Sequence, residues 1–186
     1  MKLASLSELK THLEITDSNF DSLLTQILSH VSQAAERYLN RKLKKQERTE
    51  YFDSGVGVVC LSAYPVDEES DLTVKIWGSE KTKDVDYYLY PDIGVIQFTS
   101  GTGSEYPRKI EITYTGGYEE SDGVIQVPDD IKHAVILQAA YEFLRRRDFG
   151  LSSVALPDGS ISVSEPANLL PEVKRILDQH RRILIG

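Results

Sequence analysis

The pattern of apolar positions near the start of the chain has helical spacing. Apolar residues recur in steps of three, four and one, and they predict one amphipathic helix from about Asp17 to Arg41. Two starts are possible, with Thr16 as the N-cap or with Ser18 and Asp21 in an arrangement that resembles a capping box. The apolar stripe consists of Phe20, Leu23, Leu24, Ile27, Leu28, Val31, Ala34, Ala35, Tyr38 and Leu39.

A shorter helix is expected before this one. The pattern places it at about Ser5–Leu13, and either Ser5 or Ser7 could cap its first turn. The chain therefore begins with a helical region.

The pattern changes to strands from about Glu47 to Tyr118. Segments such as LTVKIWG and KIEITYTGGY alternate apolar and polar residues, and the run PDIG between YYLY and VIQF is typical of a turn. Short strands with short turns predict an antiparallel meander that buries one face. Most tyrosines lie in this region, where they either fill the core or form an exposed contact surface.

The third region is again helical. A helix is predicted from about Pro128 to Arg147, and its apolar residues leave little polar surface. Such a helix is either central in a core or shared with another molecule. Residues 149–168 form a Ser-, Gly- and Pro-rich segment with one alternating run, ISVS, which could add a strand to a neighbouring sheet. A final helix is expected from about Leu169, with Pro171 near its start.

These elements predict an α+β fold. We expect a helical bundle, built from a long N-terminal helix, an apolar central helix and a C-terminal helix, with an inserted antiparallel β-meander. The chain is expected to be a single domain, residues 1–186, with a helical part at 1–45 plus 128–186 and the β-insertion at about 46–127.

Composition narrows the function. The 186 residues carry a formal net charge of −8, which opposes tight binding to DNA phosphates. Cys60 is the only cysteine, so neither an intramolecular disulfide nor a cysteine-rich metal site can form. No signal peptide and no membrane-spanning segment are expected. We predict a soluble intracellular protein.

Catalytic and metal-binding motifs fail on their spacing. The run that starts at Asp17 resembles a calcium loop, but Ser22 replaces the required glycine and Leu28 the bidentate glutamate. The four histidines are scattered without metal-ligand spacing. The pair Asp84 and Asp86 has the residue types of a hydrolase dyad, but such pairs are also common in turns. We predict no catalytic residues, no metal, no cofactor and no enzymatic activity.

The candidate interface residues lie at helix ends. Arginine clusters there either complement the helix dipole in solvent or contact an acidic partner. The last residues of the chain are apolar, which is unusual unless they pack within the molecule or on a partner. The candidates are Tyr141, Arg145, Arg146, Arg147, Arg181, Arg182, Ile183, Leu184 and Ile185.

Three segments resemble the head–tail connector, or adaptor, proteins of tailed bacteriophages and prophages. They are LSELKTHLEITDSNFDSLLTQILSHVSQAAERYLNRKL, then YPVDEE, LTVKIW, VDYYLY and GVIQF in that order, and finally ITYTGGY followed by VPDDIKHAVILQAAYEFLRRRD. The similarity lies in their order and spacing, covers most of residues 1–148 and is weakest in the C-terminal third. The sequence is thus similar to the longer members, which carry a β-insertion.

The resemblance implies a structural role at the head–tail junction of a virion, after synthesis in the bacterial host cytoplasm. Such proteins form a ring of subunits, often twelve, below the portal protein. The ring extends the DNA channel, through which DNA passes without specific binding, and it docks a stopper or tail-completion protein. The family implies no catalytic residues and no membrane.

Two other classes of function remain open. One is a β-type binding module for carbohydrate or peptide, in which the helices act as a scaffold and an exposed aromatic cluster on the sheet binds the ligand. The other is a small hydrolase, which would need a pocket with two convergent carboxylates.

Overall fold

The computed structural model describes residues 1–146, 153–156, 159–162 and 169–182. The chain divides into two compact units. The helical unit comprises Met1–Leu39 and Val127–His180, and the β unit comprises Asn40–Gln126 and the segment that begins at Arg181.

In its described residues the helical unit contains four α-helices, which pack around a common core. Helix α3 contacts α1, α2 and α4, so it is the central element. The bounds are α1 Leu6–His12, α2 Asp21–Leu39, α3 Asp129–Arg145 and α4 Pro171–Asp178. The buried apolar residues on α2 include Leu24, Leu28, Val31, Ala35 and Leu39. These five residues confirm the buried face of the predicted stripe, whereas Leu23, which the stripe also included, is exposed.

The ends of these helices refine the prediction. Ser5, and not Ser7, caps α1, in a reciprocal capping box with Glu8. Helix α2 begins at Asp21, later than either predicted start. The turn before it is stabilised by Asp17, whose carboxylate accepts a hydrogen bond from the Asn19 N–H at 2.9 Å. This bond competes with an earlier helix start, because it holds the backbone in an Asx turn.

Helix α3 is buried on several sides, as its even apolar distribution predicts. Gln138 is its polar core residue and is 1% exposed. The side-chain carbonyl of Gln138 accepts a hydrogen bond from the Leu170 backbone N–H at 2.9 Å, so the start of α4 satisfies a buried acceptor on α3. The predicted C-terminal helix is also present, but it ends at Asp178.

Residues 149–168 include two described strands. Strand β10 (Ser153–Leu156) pairs antiparallel with strand β11 (Gly159–Ser162). The first half of the ISVS run, Ile161 and Ser162, is thus paired within the chain, and the second half lies outside the described residues. The sequence between the strands, Pro157-Asp158 before Gly159, is a turn signal.

The β unit holds the remaining strands, which are all paired antiparallel. They are β1 Gln46–Phe52, β2 Val58–Cys60, β3 Thr73–Ile76, β4 Ser79–Lys81, β5 Tyr87–Tyr90, β6 Val95–Phe98, β7 Ile110–Gly116, β8 Glu120–Ser121 and β9 Val124–Ile125. A mixed fold of helices and antiparallel sheets is therefore confirmed. A single-turn 3₁₀ helix, Pro91–Ile93, connects β5 to β6 at the predicted turn.

The order of strands within the sheets is not that of a meander. One sheet has the order β1-β7-β3-β4, another has the order β2-β6-β5, and β8 and β9 form a hairpin. Strand β1 pairs with β7 over seven residues, from Gln46 opposite Gly116 to Phe52 opposite Ile110. The central position of β7 has a physical cause. This strand alternates buried and half-buried side chains along its whole length, so it is suited to have a partner strand on each side.

The core of the β unit is formed by side chains from both larger sheets. Its members are Val59, Leu61, Ala63, Val66, Val74, Tyr87, Ile96, Phe98, Ile110, Ile112 and Tyr114. Some tyrosines of this region fill the core and others are exposed. Tyr87 and Tyr114 are fully buried, whereas Tyr51, Tyr88, Tyr90 and Tyr106 are exposed.

Candidate interface surfaces

The C-terminal end of α3 carries three of the predicted interface residues. The guanidinium of Arg145 donates a hydrogen bond to the Tyr141 hydroxyl, one helical turn earlier. Arg146 is directed inwards along the same unit: its guanidinium carbon lies 3.8 Å from the centre of the Phe143 ring, and the group donates to the Phe143 carbonyl. Arg146 is thus held by its own helix end, while Tyr141 and Arg145 form a half-buried pair. Arg147 lies outside the described residues.

Of the C-terminal candidates, the structure describes Arg181 and Arg182. Arg181 is exposed. Arg182 is half-buried in the β unit and donates a hydrogen bond to the Cys60 carbonyl at the end of β2. This contact gives Arg182 an internal role. The predicted residues Ile183, Leu184 and Ile185 lie outside the described part of the chain.

The helical unit also exposes an apolar residue that the sequence pattern did not single out. Leu144, next to the predicted cluster, is 65% exposed, although α3 is otherwise deeply packed. The even apolar distribution of α3 concealed it, because a helix with little polar surface gives no sign of which apolar residue faces water. Leu144 therefore joins Tyr141 and Arg145 as a candidate contact residue.

Exposed aromatic and cationic side chains meet on the β unit. Trp77, which we assigned to the end of a strand, lies instead in the two-residue turn between β3 and β4. The Trp77 and Tyr106 rings contact edge to face with 5.2 Å between centroids. Trp77 lines a cleft of about 220 Å³ together with Lys75, Arg108 and Lys109. We call Lys75, Trp77, Tyr106, Arg108 and Lys109 the Trp77 surface.

An ionic network stabilises the loops of the β unit. The Lys45 ammonium lies 2.8 Å from a carboxylate oxygen of Asp67 and 2.7 Å from one of Glu119. The hydrogen bond from Lys45, aided by bonds from Ser70 and from the Glu69 backbone, lowers the pKa of Asp67 to about 2. The same partners raise the pKa of Lys45. These ion pairs hold the segments at residues 45, 67 and 119 together, because Lys45 and its partners stabilise each other's charged forms.

Two of the histidines lie next to carboxylates. His180 hydrogen-bonds to Asp130, and His30 lies 3.7 Å from Glu142. Burial raises the pKa of Asp130, but the bonds from His180 and the Ile131 N–H outweigh it and the pKa is lowered. Across the described residues, no group of three or more His, Cys, Asp or Glu side chains is placed to hold a metal ion.

The pair Asp84 and Asp86 serves a turn. The Asp86 carboxylate accepts a hydrogen bond from the Thr82 N–H at 2.8 Å, and the Asp84 N–H donates to the Tyr87 carbonyl at 2.8 Å. The Asp86 carboxylate is thus held by the backbone within the loop that leads into β5. Among the described helices, none combines the length and the apolar character needed to cross a bilayer.

The described surfaces combine exposed aromatic and cationic groups, which are enriched at protein–protein contacts. The model of one protein family, the head completion proteins, matches residues 2–183. The chain therefore belongs to the head completion protein family. Its function is that of a head–tail connector.

Chains in solved structures of gene transfer agent particles share this fold. A chain in the virion of a native gene transfer agent particle has a TM-score of 0.58 and 19% identity, with 97% of this chain and 90% of that chain covered. Chains of two neck structures, one from an empty particle with C6 symmetry and one from a native particle with C12 symmetry, give TM-scores of 0.59 and 0.56 at the same identity and coverage. No curated protein sequence matches the chain significantly.

Proposed function

We propose that this connector assembles as a closed ring of twelve subunits below the portal protein. The ring continues the channel through which DNA passes, and its far side docks a stopper or tail-completion protein. The observation that carries the proposal is the family match, which spans nearly the whole chain. The sixfold and twelvefold symmetries of the similar neck structures support a ring.

The charge of the chain supports a conduit that does not retain DNA. A net charge of −8 gives no general attraction to phosphate, because sequence-independent DNA binding depends on neutralisation by lysine and arginine. The proposal therefore includes no specific DNA site. It also includes no catalytic activity, in keeping with the structural class of the family.

The two units are proposed to act as one subunit body. In this proposal the helices form a bundle that carries the strands of residues 46–127 as an insertion, and residues 1–186 are a single domain. The candidate interface comprises the α3 end with Tyr141, Arg145 and Arg147, together with Arg181, Ile183, Leu184 and Ile185. Because Arg146 and Arg182 make contacts within their own units, we assign them a supporting role.

A peptide- or carbohydrate-binding module remains the second candidate. The exposed Trp77 and Tyr106 rings favour it, since aromatic platforms are common in such sites. The connector and the binding module require different partners, so one binding experiment distinguishes the two functions.

The test is to mix the purified chain with portal rings encoded by the same phage or prophage genome. Negative-stain microscopy and sedimentation should show portal rings with an additional ring of density, and the added mass gives the subunit number. Major capsid protein from the same genome serves as the control. A chain that ignores portal rings but binds glycan or peptide panels would overturn the proposal in favour of the binding module.

A further inference from the structure

The tip of the β3–β4 hairpin carries an unusual residue. Ile76 pairs with Ser79, so Trp77 and Gly78 are the two turn residues, with φ of 55° and 78°. Two positive φ angles belong to the tight hairpin turns that usually take Asn-Gly or Gly-Gly. A bulky side chain is rare there, and the only tryptophan of the chain occupies this position with 48% of its surface exposed. The backbone of the turn alone does not require tryptophan here.

The indole is held in a fixed orientation. Its Nε1–H donates to the Thr102 carbonyl at 3.2 Å, and the edge-to-face contact with Tyr106 braces the ring. Gly103 allows this approach, because a Cβ atom at residue 103 would lie 2.9 Å from the indole nitrogen. The aromatic side chain is therefore positioned before any partner arrives, which lowers the entropic cost of binding.

Two cations lie next to aromatic rings on this surface. The Lys109 ammonium lies 5.2 Å from the Trp77 ring, and the Arg108 guanidinium lies 4.6 Å from the Tyr51 ring. Arg108 also has a left-handed φ of 54°, so a second non-glycine residue of this surface adopts a rare backbone conformation. The acidic residue lining the cleft is Glu111, 3.7 Å from Lys75. Glu80 on β4 also lies opposite Lys75, so the cations of the Trp77 surface that contact aromatic rings are Arg108 and Lys109.

The mixture of groups identifies the kind of partner. A DNA backbone would engage the cations but leave the indole and Tyr106 in contact with water. Trp, Tyr and Arg together are the residues that dominate protein–protein hot spots, where aromatic groups are desolvated and charges are complemented. The partner should therefore present carboxylates next to exposed apolar groups.

A second surface of the same unit meets this description. Strand β5 is an edge strand, and its alternation buries Tyr87 while Tyr88 and Tyr90 face outwards. Val85 and Ile93, on either side of the strand, are 67% and 59% exposed. Between residues 84 and 93 the sequence has three aspartates and neither lysine nor arginine. We call Asp84, Val85, Tyr88, Tyr90, Asp92 and Ile93 the Tyr88 surface.

A ring of identical subunits needs two different and complementary faces on each subunit, because head-to-tail contacts are heterologous. We propose that the Trp77 surface of one subunit binds the Tyr88 surface of the next copy in the ring. The cations of the first then face the aspartates of the second, and the indole is covered by apolar groups of the edge strand. This inference rests on the ring assigned under Proposed function and names the surfaces that close it.

Charge reversal provides the first test. R108E/K109E and D84K/D92K are each expected to weaken ring formation on the order of tenfold, and the combination of all four changes should restore it, since like charges no longer meet. Assembly is measured by analytical ultracentrifugation of the full chain, alone at rising concentration and with portal rings. The control R37E/R175E makes the same change in net charge as R108E/K109E, at exposed positions of α2 and α4.

The single tryptophan provides an independent readout. Its emission should shift to the blue and resist acrylamide quenching when the ring forms, while circular dichroism verifies that each variant is folded. A ring in which Trp77 stays quenchable, or a control that weakens assembly as much as R108E/K109E, would overturn the inference and leave the proposed function intact. So would a loss of DNA or portal binding in R108E/K109E with ring closure unchanged. Absence of any ring from the wild type would overturn both.

Discussion

The Tyr114 hydroxyl on β7 donates a hydrogen bond to the Glu50 carboxylate on β1, inside the β unit. The same hydroxyl accepts a hydrogen bond from the Ala63 N–H at 3.0 Å. Glu50 in turn accepts a hydrogen bond from the Ser62 hydroxyl at 2.5 Å. A fully buried phenol therefore joins two strands to the loop at residues 62–63, and its hydroxyl is satisfied both as donor and as acceptor.

Tyr114→Phe should destabilise the protein by about 1–3 kcal/mol at neutral pH, because it removes the hydroxyl that pairs with the Ala63 N–H and with Glu50. Burial, followed by the hydrogen bond to Glu50, raises the pKa of Tyr114. The unfolded chain ionises this tyrosine at about pH 10, whereas the folded chain keeps it neutral, so wild-type stability from this group is lost as pH rises further. Urea unfolding between pH 8 and 11 should show the gap between the two proteins narrowing.

The control for this experiment is Tyr88→Phe, which removes an exposed phenol from the same unit. A gap between wild type and Tyr114→Phe that stays constant up to pH 11 would contradict the buried network.

Asp67→Asn should destabilise the protein at neutral pH but have little effect in acid. The pKa of Asp67 is about 2 in the folded chain, against an ordinary value of 3.8, mainly because of the hydrogen bond with Lys45. A lowered pKa stabilises the fold above the ordinary value, and this stabilisation disappears as pH falls through the folded value. The difference in unfolding free energy should be flat above about pH 5 and shrink towards pH 2.

High salt and the exposed control Asp92→Asn complete this test. Added salt should reduce the effect of Asp67→Asn, since the ion pair is close to solvent. If Asp67→Asn destabilises the protein equally at every pH, the ion pair with Lys45 is not the cause of the lost stability.

Ser5→Ala should cost about 1 kcal/mol of stability, the usual value for the loss of an N-cap. The Ser5 hydroxyl accepts from the Glu8 N–H at 3.1 Å, and the Glu8 carboxylate accepts from the Ser5 N–H at 2.7 Å. Ser7→Ala is the matched control, because Ser7 is exposed in the first turn of α1 and the sequence pattern alone allows either serine as the cap. Thermal unfolding that shifts equally for both variants would refute the assignment of the cap.

The sequence predicts the helices better than the sheets because helical patterns are local. The stripe of α2 repeats every three or four residues, so its buried face follows from spacing alone. The partner of β1 is β7, which is distant in the chain, and no local pattern specifies such a long-range pairing. The assumption that neighbouring strands pair led to the meander, which was wrong.

The candidate surfaces divide in the same way. Tyr141 and Arg145 stand at helix positions four apart, so their contact follows from helical geometry. The Trp77 surface joins the β3–β4 turn to residues 106–109, and only the tertiary fold brings these segments together. The residue pair Trp-Gly after an alternating run is compatible with a two-residue turn, but the alternation of LTVKIWG continues through Trp77 and favours a strand there.

Leu144→Ser should separate assembly from stability in the helical unit. Leu144 is 65% exposed, so its replacement removes little buried surface and the unfolding free energy should change by less than about 0.5 kcal/mol. Its neighbour Phe143 is 4% exposed and contacts the Phe20 ring edge to face at 5.3 Å. Phe143→Ala should therefore cost about 3–5 kcal/mol, the range for a large aromatic residue in a core.

If the end of α3 contacts the portal or the next subunit, Leu144→Ser weakens assembly while the monomer stays as stable as the wild type. Sedimentation with portal rings measures the first quantity and urea unfolding the second. Phe143→Ala should have the opposite pattern. It lowers the unfolding free energy directly and reduces assembly only by increasing the unfolded fraction. Normal assembly of Leu144→Ser, at wild-type stability, would remove Leu144 from the interface and restrict the α3 contact to Tyr141 and the arginines.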